Sequence, residues 1–279
     1  MADSTPEPKL EPTPPKTFPK VVFGIEQPVV DFFAQTGILF INTGTALRYI
    51  AKLDIDWKKT IAQTAAVGFD SMGMSILICL IAGAVLALQT AAKFAQTGAD
   101  SYVGGLVALA IVREIGPIFT CLAVGARAGT AIAAEIANMQ ITNQVDALQV
   151  MRVNPIRYLF VPRLLACMLA LPMLTVIGET VAILGGMLVA QTVTRLHYHM
   201  YLESVWRYLK PYDIRVSILK ALIFGLIFGA ISCNVGLRTR GGARDVGLST
   251  TRAVVWISIV LIVADFLLTW IFFGTSYEG

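Results

Sequence analysis

Between Ser71 and Ala92 the chain runs for 22 residues without a charge. As a helix rising roughly 1.5 Å per residue this covers about 33 Å, enough to cross a hydrocarbon core of about 30 Å. Four more apolar runs follow. One extends from Val103 to Ala134, interrupted by Arg113, Glu114 and Arg127, with Pro117 placed to kink it. Another lies between Arg163 and Arg195 and is broken by Glu179. Val216 to Leu237 contains Lys220, and Ala253 to Phe273 contains Asp265. Backbone polar groups in lipid must be satisfied within the segment, so each run is expected to be a helix. Composition agrees: 14% of residues are charged, against about 25% in a soluble domain. The reading is an all-α membrane protein, with five transmembrane helices in a permease domain over residues 64–279.

The first 20 residues hold six of the twelve prolines and almost no large apolar side chains, the composition of a disordered tail. With no apolar run of signal-peptide length, this tail is expected to stay in the cytoplasm. Residues 21–63 are moderately apolar, and their best stretch, Val29 to Ile41, is too short to span. They read as an interfacial amphipathic helix, held at the headgroups by Lys52, Trp57, Lys58 and Lys59. With the N-terminus inside, cytoplasmic segments carry fourteen lysines and arginines and external ones five, which favours a cytoplasmic N-terminus and an external C-terminus. The external loop from His197 to Tyr212 is rich in Tyr and Trp, as befits an aromatic belt.

The positive charge does not point to nucleic acid, because basic residues sit at the ends of apolar runs and form no stripe. Cys79, Cys121, Cys167 and Cys233 lie inside apolar runs without metal-ligand spacing and read as packing residues. His197 and His199 have no nearby carboxylate or cysteine and receive no role. The Gly-rich phosphate loop, His-Glu-x-x-His and Gly-x-Ser-x-Gly are all missing from the sequence, which speaks against catalysis and against nucleotide binding by this chain. Charges inside a membrane are costly and face protein, water or one another. For Arg113 and Glu114 two readings stand level: a polar rim on a substrate cavity, or an inter-helix ion pair with Glu179 or Asp265. Arg127 and Lys220 are expected to snorkel towards opposite interfaces. Gly125-x-x-x-Gly129 and Gly225-x-x-x-Gly229 have the spacing of close helix packing.

Between the second and third runs, Ile141, Val145, Leu148 and Arg152 recur at helical spacing, and Asn154-Pro155 stops the pattern. A short amphipathic helix here either lies on the membrane or docks in a groove on a soluble partner.

Val112 to Pro117, Gly125 to Thr130, Ala134 to Ile136, Met139, Gln144 to Leu148, Met151, Asn154-Pro155 and Pro162-Arg163 together resemble the MlaE/YrbE permease family. Leu171-Pro172, Gly185-Gly186, Thr250 to Arg252 and Asp265 to Leu268 continue the resemblance, which covers roughly Val67 to Gly274. It implies the permease of an ATP-driven lipid transporter in a bacterial inner membrane. Two copies would form a homodimer, with a separate cytoplasmic ABC ATPase that binds the ATP and an external ring of Mce-domain proteins. The cargo would be phospholipid or a related lipid. A coupling helix at about 136–151 would give Glu135, Met139, Gln144, Asp146, Leu148 and Met151 an ATPase-contact role. Leu86, Phe94, Arg113, Glu114 and Ile115 would surround lipid at the dimer interface. The rival reading is a scaffold that anchors the ring and ATPase and transports nothing.

Overall fold

The computed structural model describes residues 26–94, 100–194 and 197–274; the proline-rich tail of residues 1–20 and residues 21–25 lie outside them. The chain forms two compact units, one ending at Phe40 and the other beginning at Ile41. In the first unit the described residues, from Glu26, belong to helix α1, Glu26–Ala51.

Among the described residues five helical stretches are long and apolar enough to cross a membrane: Trp57–Phe94, Val103–Ile141, Ile156–Thr192, Pro211–Leu237 and Ala243–Phe273. Four contain the corresponding apolar run whole and the third covers all but its last two residues, while several helices outlast the run. The segment expected to lie in the interface through Gln63 divides, because helix α1 stops at Ala51 and α2, Trp57–Phe94, begins before that segment ends. Asp56 starts α2 by accepting the Lys59 N–H at 3.3 Å. That bond holds its carboxyl below the usual 3.8, so the cap is complete at neutral pH and is lost only as pH falls through the lowered value.

The second crossing is a relay of α3 (Val103–Ala110), a π turn (Ile111–Ile115), α4 (Gly116–Val124), a second π turn (Gly125–Gly129) and α5 (Thr130–Ile141). Pro117 lies one residue into α4, directly after the π turn, and the Arg113 carbonyl four residues back accepts from the Lys220 side chain at 2.8 Å. After the short helix α6, Gln144–Val150, a third π turn at Ile156–Phe160 leads into α7, Val161–Thr194. The expected external loop is largely helical: α8 covers Tyr198–Tyr208 and turns Tyr201 into the core, where it is 1% exposed. The last two crossings are α9, Pro211–Leu237, and α10, Ala243–Phe273.

Small residues set the packing. On α2 the fully or nearly buried positions Val67, Ser71, Ser75, Cys79, Gly83, Ala87 and Ala91 recur every fourth residue, a single narrow stripe laid against α7. A Cβ on Gly83 would lie 2.6 Å from the Ala182 carbonyl carbon and closer still to its oxygen. A Cβ on Gly225 of α9 would likewise meet α7 backbone, 2.6 Å from the Cys167 oxygen. All four cysteines are buried and free. The expected GxxxG roles hold: Gly125 and Gly129 seat Ile257 of α10, and Gly129 also seats Phe228 of α9.

At the end of the bundle that carries α6, the residues around the α1–α2 connection are clasped to those in and just before the third π turn. Asn154 donates to the Tyr49 hydroxyl at 3.1 Å, Asp54 pairs with Arg157, and the Lys59 ammonium lies 3.3 Å over the Tyr158 ring.

Candidate functional site

The half of the bundle near α8 holds a polar cluster built from three crossings. The first π turn presents Arg113 and Glu114, α9 supplies Asp213 and Lys220, and α10 supplies Asp265 and Thr269, one turn apart on one face. Lys220 is fully buried. Its ammonium donates to the Arg113 carbonyl at 2.8 Å, Glu114 Oε2 at 3.2 Å, Asp265 Oδ1 at 3.0 Å and Thr269 Oγ1 at 2.6 Å. Thr269 passes the contact on, donating to Glu114 Oε1 at 2.8 Å. The expectation that Lys220 snorkels is therefore overturned. Helix α9 starts at Pro211 rather than Val216, which puts Lys220 about 14 Å along it, where three acidic or hydroxyl side chains converge.

Arg113 pairs with Asp213, through NH2 at 2.8 Å and Nε at 2.9 Å, and its guanidinium lies 4.4 Å from the Phe273 ring centre. Neither Glu179 nor Asp265 is its partner. Glu179 is buried and accepts from Ser217 of α9. Arg127 does not simply reach for the interface: it pairs with Asp70 at 3.2 Å and donates to Ser71 at 3.4 Å, tying the second π turn to α2.

Arg113 and Glu114 open onto a cleft of about 410 Å³ whose other walls include Leu109, Phe266, Thr269, Trp270 and Phe273. The arrangement puts a guanidinium and a carboxyl group at one side of an otherwise apolar recess, the layout needed for an amphiphile. Of the residues expected around lipid, Arg113 and Glu114 line this cleft. Ile115 is half-buried in the same π turn, while Leu86 and Phe94 pack on an apolar cluster of α2, α3, α7 and α8 that includes Val107, Ala182 and Tyr201. The expected set thus divides between a cleft and a packed layer. Asp213, Thr269, Trp270 and Phe266 went unassigned in the sequence, although the Asp265/Thr269 spacing on one helical face was a usable signal.

At the other end, α5 and α6 are separate helices, not one helix over 136–151. Thr142-Asn143 breaks them, with Asn143 at φ 58°, the left-handed conformation that Asn tolerates best after Gly. Arg152, expected to continue the helix, also has positive φ, 60°. Glu135 is held by Arg163 at 2.8 Å. Gln144, Asp146 and Met151 are exposed, Met139 and Leu148 are half-buried, and Val145 is buried. Val150, not singled out before, is 85% exposed. Asn143→Val should lower stability by about 1–2 kcal/mol through left-handed backbone strain, whereas Asn143→Gly should melt near the wild type; thermal melts of the two variants in detergent check this.

The family model described as Permease MlaE matches residues 60–271. The chain belongs to the MlaE permease family. A probable ABC transporter permease of Synechocystis is 36% identical over 88% of this chain and 94% of its own length. A probable ABC transporter permease of Rickettsia prowazekii is 35% identical over 91% and 98%. The chloroplastic protein trigalactosyldiacylglycerol 1 of Arabidopsis thaliana is 37% identical over 84% and 67%. The MlaE match takes in the polar cluster, α6 and nearly all of the five described crossings, so this is a multi-pass ABC transporter permease of that family.

Proposed function

We propose that this permease moves phospholipid or a related lipid between a bacterial inner membrane and an external Mce-type carrier, as a homodimer driven by a separate ATPase chain. The observation that carries the lipid reading is the cleft between the first π turn and α10. Its apolar walls suit acyl chains, and Arg113 and Glu114 stand where a headgroup would lie. The name of the Arabidopsis relative, which contains a glycerolipid, supports the same substrate class. Helix α6 would be the ATPase contact: Gln144, Asp146, Val150 and Met151 offer an exposed mixed surface at the end of the bundle opposite α8. Glu135, already tied to Arg163, would act by fixing the approach of α5 to α7. The N-terminus would be cytoplasmic, with α1 lying in the interface and α8 on the external side.

The test is lipid transport by the reconstituted complex. Glu114→Ala and Asp146→Lys should each reduce the rate about tenfold, the effect of losing roughly 1.4 kcal/mol at a contact, while inserting and purifying as the wild type does. Wild-type rates in both would overturn the site assignment. Binding of lipid and ATPase with no transport under any condition would instead favour the scaffold.

A further inference from the structure

We infer that the cleft selects headgroups carrying an ammonium, such as phosphatidylethanolamine, over headgroups of net negative charge. This rests on the lipid-site reading above and adds the class of lipid. The first observation is charge balance. Arg113 and Asp213 neutralise one another at 2.8 Å, but Lys220 must serve both Glu114 and Asp265. Two cations thus face three carboxylates. The surplus does not sit in the buried part of the cluster: Lys220 is inaccessible, the Asp265 side chain is 13% exposed, and the Glu114 side chain is 38% exposed and lines the cleft.

The second observation is the wall opposite. Phe266 and Trp270 line the cleft beside Glu114 with most of their surface uncovered, and an aromatic face next to a carboxylate attracts an alkylammonium through both. Arg113 has five N–H donors and uses two on Asp213. Its remaining donors suit a phosphate, one residue away from the carboxylate that would take the ammonium. A zwitterionic headgroup therefore meets both charges, whereas an anionic headgroup satisfies Arg113 and leaves the Glu114 surplus facing its own negative charge.

The experiment reconstitutes the full-length protein in nanodiscs containing equal parts phosphatidylethanolamine and phosphatidylglycerol with matched acyl chains. Native mass spectrometry then identifies the lipid that stays bound. Wild type should retain the ethanolamine lipid about tenfold over the glycerol lipid, the ratio that roughly 1.4 kcal/mol of discrimination gives. Glu114→Gln keeps a hydrogen-bonding side chain beside Lys220 and should bring the ratio near one. Trp270→Ala, which leaves every member of the ion pairs in place, should lower it by a smaller factor. Equal retention of both lipids by the wild type, or a preference for phosphatidylglycerol, overturns the headgroup inference and leaves the lipid site standing. A wild-type protein that retains no lipid removes both.

Discussion

Lys220→Met is expected to lower the stability of the detergent-solubilised protein by roughly 3–5 kcal/mol, the cost of breaking a buried ion pair from one side. The ammonium is fully buried and shared between Glu114 and Asp265, so its removal leaves two carboxylates facing each other without a cation. Methionine fills most of the volume, which makes the loss one of charge rather than of packing. The triple variant Lys220→Met, Glu114→Gln, Asp265→Asn should recover much of the loss, because replacing all members of a buried ionic group is often near neutral. Thermal melting of the three proteins decides it. A single variant that melts with the wild type would mean that Lys220 is not the keystone its contacts imply.

Gly83→Val should be nearly as damaging, by another route. The new Cβ falls on the Ala182 backbone, and no rotamer relieves a clash that begins at Cβ. The pair it would force apart, α2 and α7, comprises the two longest described helices, 38 and 34 residues. Overpacking of this kind costs about 1–3 kcal/mol and more where backbone must move. Gly73→Val on the same helix has nothing within 4 Å of its Cβ and should be tolerated. Equal yields of monodisperse protein from both would show that α2 and α7 do not depend on backbone contact at Gly83.

The crossings were legible because apolar runs of this length, one free of charge and the others with at most three charged residues, have one comfortable solvent. Their ends were not, because hydropathy reports the solvent and not the helix: α2 continues through Lys58, Lys59 and Asp70, residues that lower the hydropathy without breaking the backbone. The same error displaced Lys220, judged by its distance from the end of an apolar run when the helix itself began earlier. The break at Asn143 was hidden by apolar spacing that carries across it. Arg113 and Glu114 were recognisable as interior charges, yet their partners were not, since Asp213 lies 100 residues away and outside the apolar run. The cleft depends on α10, whose Asp265 gave a hint and whose aromatics Phe266 and Trp270 carried no signal of their own in the sequence.

Arg113 and Arg127 stand fourteen positions apart in one crossing. Uninterrupted α-helix would complete nearly four turns between them and bring both within about 40° of one face. They address different neighbours instead, Arg113 reaching α9 and Arg127 reaching α2. Each π turn accommodates an extra residue and sets the helical phase back by roughly 100°. The two turns therefore work as angular gears between the halves of the crossing. A single-residue insertion or deletion inside either one would swing an arginine away from its acid while leaving the hydropathy profile almost untouched.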